Sequence, residues 1–282
     1  MSKVTSEMVK ELRERTNVGI IKCKEALQQT DGNMEKALDL LRKAGIVSAV
    51  KKESRKTNEG VIGYAETSKA IALIEVNTET DFVPQNEKFK TFIQNLCAEA
   101  VATSPPSCEA FLGQTLGNDP TMTVDHYRAQ IVQMVGENIQ IARLVILTKS
   151  PGSSFGIYSH MEGKLVSVVE LIGSEDHHSL ARDIAMHIAA ESPAYLGPED
   201  VPQAVKEREE EIARHQVSGK PEAILEKIVA GKMEAFYKET CLLHQLYIRD
   251  NTLTIGELLK QASLKCGKTL GVRNFLRWKV GG

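Results

Sequence analysis

The sequence predicts an α+β fold: an N-terminal three-helix domain, a core of two related αβ subdomains with mainly antiparallel sheets, and an inserted helical hairpin,. Apolar residues recur at helical spacing through residues 4–45,. Aliphatic strands such as AIALIEV (70–76) and LVSVVELI (165–172) then alternate with helical stretches, in an order that occurs twice. Finally, two charged helical stretches meet at SGKP (218–221), where proline in the first turn of a helix after a glycine marks a helical hairpin,. The expected divisions are 1–56 for the helices and a linker, 57–150 for the first subdomain, 151–193 with 240–282 for the second, and 194–239 for the arm.

In the first division Val4, Met8 and Leu12 share a face, with Thr5 or Ser6 as N-cap,. Ile20, Cys23 and Leu27 share a face of the second helix, and Met34, Ala37, Leu38 and Leu41 stripe the third,. Residues 17–19 and 31–33 supply the turns,. So small a bundle has little core of its own, and the basic run at 51–56 reads as a tether that lets it move,. From Gly60 come two strands, a helix ended by Pro105 and Pro106, a second helix over 126–139 and the closing strand IARLVIL,. The order restarts at Gly156 with a strand, a turn at Glu162-Gly163, LVSVVELI and a helix over 180–190. Helices over 200–216 and 221–237 form the arm, which reads as an interaction element or a solvated flap. A strand-like CLLHQLYI (241–248), a helix over 255–265 and the strand VRNFLRWKV close the chain.

The formal net charge of −2 gives no electrostatic case for a nucleic-acid or anionic-membrane partner,. Residues 1–56 nevertheless hold thirteen Lys or Arg against eight Asp or Glu, an excess that suits an acidic protein partner or a solvated helical surface,. Five cysteines without a CxxC pair fit a reducing compartment,. The charged N-terminus lacks a signal's apolar core, and no run approaches the roughly 20 apolar residues of a membrane span, so a cytoplasmic location is expected,.

The inventory of reactive groups assembles no active site, metal site or cofactor site,. ASLKCGKT (262–269) satisfies a relaxed phosphate-loop pattern, but a helix enters it and a strand leaves, the reverse of what cradles phosphate; Gly267 reads as a helix cap,. The pair His177-His178 has no accompanying metal-ligand spacing,. His187 reads as a core histidine, and Cys97 and Cys241 as buried thiols,. What stands out is TETDFV (78–83), where an apolar strand runs into a turn bearing Asp81 and Phe82,. Measured to the Ser-Pro pair that ends each helix, the first copy of the repeat is about seven residues longer than the second, at or near TDFVPQN, and insertions on a repeated scaffold tend to serve a working face,. The plainer alternative makes Thr80 or Asp81 an N-cap and folds Phe82 under the loop,.

ELRERTNVGIIKCKEAL, EVNTETDFV, GENIQIARL, AMHIAAESPAYL, SGKPEAILEKIVAGKMEAFYKE and CLLHQLYIRD, in order over nearly the whole chain, resemble bacterial elongation factor Ts. The resemblance implies a guanine-nucleotide exchange factor for elongation factor Tu, met in GDP-bound and nucleotide-free forms, with no chemical reaction, cofactor or direct nucleic-acid contact of its own. It implies a ubiquitin-associated-like N-terminal domain docking through Arg13, Ile20 and Ile21. It makes Thr80, Asp81, Phe82 and Val83 the motif that intrudes near the partner's magnesium, and His160 a contact to the partner's third domain. The arm is then a candidate homodimerisation element. Because the sequence ends at WKVGG, where some members continue into a further helix, that helix's contact is expected to be missing. A rival reading is a protein-binding adaptor that leaves nucleotide sites alone. A third is an enzyme built on Cys, His or the ASLKCGKT loop.

Overall fold

The computed structural model describes residues 4–16, 18–217 and 221–282; the turn positions expected at residue 17 and at 218–220 lie outside the described residues. Helices and antiparallel strands divide into two compact units, Met1–Lys149 with Lys279–Gly282, and Ser150–Trp278.

In the first unit α1 (Ser6–Thr16), α2 (Ile20–Gln29) and α3 (Met34–Lys43) bury Leu12, Cys23, Leu27 and Ala37 completely. Thr5 Oγ1 accepts the Met8 N–H at 3.3 Å, and Asn33 caps α3 by accepting from Lys36,. Ile20, expected beside Cys23 and Leu27, is 55% exposed, because it opens α2 beyond the reach of the bundle's small core; Ala26 takes the inward place. A further helix follows that was not expected. Gly45, at φ 73°, admits a left-handed turn, after which α4 (Ile46–Lys52) buries Ile46, Val47 and Ala49,. The basic run is therefore no free tether. It is helical to Lys52, and Asn138 Nδ2 donates to the carbonyls of Glu53 (3.2 Å) and Arg55 (2.9 Å). The helices share one hydrophobic core with the strands that follow.

Those elements are β1 (Glu59–Glu66), β2 (Ala70–Thr78), α5 (Glu87–Thr103), α6 (Cys108–Gly113), β3 (Thr115–Leu116), β4 (Asp119–Thr123), α7 (Val124–Val135) and β5 (Ile139–Thr148). Three strands form an antiparallel sheet in the order β1-β2-β5. The helix expected over 126–139 stops earlier, since Gly136 at φ 83° caps it and the fully buried Ile139 opens β5,.

The second unit contains β6 (Ser153–His160), β7 (Leu165–Ile172), α8 (His178–Glu191), α9 (Gln203–Gln216), α10 (Glu222–Thr240), β8 (Leu246–Tyr247), β9 (Asp250–Thr254), α11 (Ile255–Cys266) and β10 (Gly271–Lys279). Its sheet has the order β6-β7-β10. The repeat runs further than the sequence suggested, for each copy continues through a two-stranded ribbon, a helix and a closing strand. Asp119 and Asp250 accept from the N–H and hydroxyl of Thr121 and Thr252; Thr123 and Thr254 cap α7 and α11; Gly136 and Gly267 end them. Strand register equates Gly156 with Gly63 rather than Gly60, and a Cβ at either would collide with α8 or α5 respectively. Part of the extra length in the first copy lies in α5, which has 17 residues against 14 in α8.

In the arm, α9 starts at Gln203 rather than at residue 200, because Asp200 instead closes a 3-10 turn by accepting from the Gly197 N–H and Pro202 takes the N-cap. CLLHQLYI is mostly not strand. The amides of Leu242 and Leu243 donate to the carbonyls of Tyr195 and Leu196, which tightens Leu242–His244 into a 3-10 turn and leaves only β8 extended.

Candidate functional site

At the end of β2, Thr78 is buried and its hydroxyl donates to the Thr80 carbonyl at 2.8 Å. Glu137, just past the glycine that ends α7, takes both donors of Thr80: N–H to Oε2 at 2.9 Å and Oγ1–H to Oε1 at 2.6 Å. In return Glu79 Oε1 accepts the Asn138 N–H at 2.6 Å and lies 3.4 Å from Arg55 Nη1. Beyond the projecting pair, Val83 is buried, and Asn86 caps α5 by accepting from Lys88 and Phe89. The capping role considered for Thr80 or Asp81 thus belongs to Asn86. Asp81 is exposed, and the Phe82 ring is 79% exposed rather than folded beneath the loop. Of TDFV, then, Thr80 and Val83 hold the chain while Asp81 and Phe82 project.

A second patch lies on the N-terminal helices. Arg13 and Ile20 line a hollow of about 530 Å³ together with Val4, Val9, Lys10 and Lys24. Ile21, one residue on, is 74% exposed. Lys22 of the same helix pairs with Asp125 at the start of α7, which also receives Arg128 at 2.6 Å. Burial pushes the Asp125 carboxyl up, but Arg128 and Lys22 together outweigh it and hold it below its ordinary value,.

His160, in the second unit, ends β6 with its ring stacked on Tyr158 at 6.1 Å between centroids, and the Tyr158 hydroxyl is 3.3 Å from Nδ1. The turn after it runs through Met161, Glu162 and Gly163 at φ 49°, 54° and 93°, and Met161 is 69% exposed. So the structure groups Thr80 to Val83 on one loop and Arg13 with Ile20 around one hollow, while His160 belongs to the other unit.

α11 enters and β10 leaves the 262–269 segment, with Gly267 at φ 68° as cap. Burial pushes the Cys97 thiol up to about 12. His187 is fully buried and bonded through Nε2 to Gln245 Oε1 at 3.0 Å. Among the described residues no cluster of His, Cys, Asp and Glu could hold a metal ion, and no helix is long and apolar enough to cross a membrane. The residues missed by sequence reasoning are Glu137, Asn138 and Tyr158; the signals for the first two were their place directly after Gly136 at a helix end and within GENIQIARL.

The family model described as Elongation factor TS matches residues 79–282. An elongation factor Ts of Protochlamydia amoebophila is 55% identical over 281 residues, covering 100% of both chains. Those of Chlamydia muridarum and Chlamydia caviae are each 45% identical over the same span, again covering 100% of both chains. The chain belongs to the elongation factor Ts family. Membership places it among the elongation factors of protein biosynthesis. The elongation factor Ts model begins at Glu79, the head of the loop that carries Phe82.

Proposed function

We propose that this chain is a guanine-nucleotide exchange factor for elongation factor Tu, acting in the cytoplasm, that releases GDP by disturbing the magnesium and phosphate site of its partner. The observation that carries the reading is the Phe82 ring, 79% exposed beside Asp81 on a loop anchored at both ends. Aromatic rings are enriched among the side chains that carry binding energy at protein interfaces. Bound guanine nucleotide depends on backbone donors around its phosphates and on a magnesium ion that demands near-octahedral oxygens. Phe82, driven between elements of the partner, shifts the groups that order this metal. Asp81 competes for donors and waters beside it.

Arg13, Ile20 and Ile21 dock the N-terminal helices (1–56) on the partner, and His160 supplies a contact from the second half of the core. The arm at 194–239 is the homodimerisation element. Because coupling between two ligands is reciprocal, a factor that weakens nucleotide binding is itself displaced by incoming nucleotide. No bond is made or broken in that cycle. The test is release of a fluorescent GDP from purified elongation factor Tu with substoichiometric amounts of this chain. Accelerated release over many turnovers is expected. An unchanged rate, the behaviour of a mere adaptor, overturns the reading.

A further inference from the structure

We infer that Glu137 is a positioning residue for the projecting loop: by clamping Thr80 it holds Phe82 in the attitude that meets the partner. The inference deepens the exchange reading and rests on it. Both donors of Thr80 end on the two oxygens of one carboxylate, at 2.9 and 2.6 Å. Bonds to an ionised acceptor are stronger than neutral ones, and a two-pronged arrangement fixes direction as well as distance. The far end of the loop is independently fixed by buried Val83 and by the Asn86 cap. Between these anchors only Asp81 and Phe82 are left to project. Glu137 follows the left-handed Gly136 that closes α7, so its side chain is not spent on that helix. The return bond from the Asn138 N–H to Glu79 binds the same two segments from the other side, so the clamp joins strand end to helix end over a long sequence separation.

A projecting side chain acts as a wedge only if its own loop does not yield first. A loop that must be ordered during the encounter loses that ordering entropy at the step where the wedge works. Removing Glu137 should therefore lower the maximal rate of nucleotide release and leave docking, which belongs to Arg13, Ile20, Ile21 and His160, nearly untouched.

The test uses the full chain as Glu137→Ala, Glu137→Gln, Phe82→Ala and the Glu137→Ala/Phe82→Ala double variant. It has two readouts: amide hydrogen exchange of the free chain and stimulated GDP release. In Glu137→Ala the Thr80 amide is expected to exchange about tenfold faster while the amides of β2 stay protected. The maximal release rate should fall about tenfold with the KM for elongation factor Tu within about twofold. Acting through Phe82, the substitution should cost nothing further in the double variant. Unchanged protection at Thr80, or losses that add in the double variant, overturns the inference. Should β2 lose protection in Glu137→Ala, Glu137→Gln decides: it keeps one acceptor and should fall between parent and alanine, and parental behaviour in both readouts overturns the clamp. If the parent chain itself fails to accelerate release, the exchange reading fails, and protection at Thr80 alone decides whether the clamp exists.

Discussion

Arg143 Nε lies 2.6 Å from Glu75 Oε2 across β5 and β2, and Arg273 repeats the arrangement in the other copy, 3.1 Å from Glu170 Oε1 across β10 and β7. The Glu75 side chain is only 2% exposed, and its second oxygen accepts the Gly281 N–H at 2.9 Å. A carboxylate so buried is tolerable because each of its oxygens accepts from a donor, one of them charged,. Arg143→Met should therefore destabilise the chain by about 3 kcal/mol, the cost of leaving a buried charge without its partner. Adding Glu75→Leu should restore most of the loss. Urea unfolding checks both, and an Arg143→Met chain as stable as its parent would show that the pair is not needed.

Phe82→Ala should slow stimulated GDP release by about 30-fold, the worth of a well-packed aromatic anchor. Since the ring is 79% exposed, stability should move by less than about 0.5 kcal/mol,. Asp81→Asn should give a smaller defect whose size depends on magnesium concentration. Exchange rates identical to the parent in Phe82→Ala would remove the wedge, and indifference to magnesium would remove the metal-linked role of Asp81.

Ile21→Glu should raise the KM for elongation factor Tu about tenfold and leave the maximal rate nearly unchanged, the signature of lost uniform binding. Ile21 is 74% exposed at the start of α2, so the substitution leaves the bundle core intact. Initial-rate measurements over a range of partner concentration separate the two constants. A fall in the maximal rate at unchanged KM would move Ile21 from docking to the exchange step.

His187 gives the chain a sensitivity to mild acid. Burial pulls its pKa below 6.5, against smaller opposing effects of Gln245 and Glu191, and Nδ1 accepts the Ile248 N–H at 3.4 Å, a bond that protonation abolishes,. A folded-state pKa below the unfolded one means that the unfolded chain binds the proton more readily. The contribution is therefore complete above pH 6.5 and declines as pH falls from there through the lower folded value,. The unfolding midpoint in urea should fall between pH 7.5 and pH 5.5, and less steeply in His187→Gln. His126, also held low by burial first and by Lys22 next, acts in the same sense, so the variant rather than the parent curve assigns the effect. Equal slopes in parent and variant would show that His187 is not the group responsible.

Much of the fold could be read without coordinates because its signals are local. The stripes of α1 and α3, the capping glycine of α11 and the recurrence of strand, strand and helix are all contained within a few turns of sequence. The loop bearing Phe82 could be found the same way, since an aromatic beside a carboxylate at the end of an apolar strand is a short-range pattern. Two of the errors share one origin. Residue 139 continued a helical pattern but pairs with Thr78 in the β2–β5 ladder, and CLLHQLYI carried strand composition until the amides of Leu242 and Leu243 found carbonyls near residue 195. In each case a partner distant in sequence overrode the local preference.

The amino-acid order alone settled the α+β class, the existence of a repeat and which two side chains, Asp81 and Phe82, to examine. Whether Phe82 faces water or its own core, which residue caps α5, and what holds the loop rigid were decided by tertiary contacts. Thr80 meets Glu137, and Asn138 meets Glu53, Arg55 and Glu79, across separations that no local pattern spans. Hydrophobic periodicity is written into neighbouring residues, but a hydrogen bond between distant ones exists only after packing has brought its two ends together.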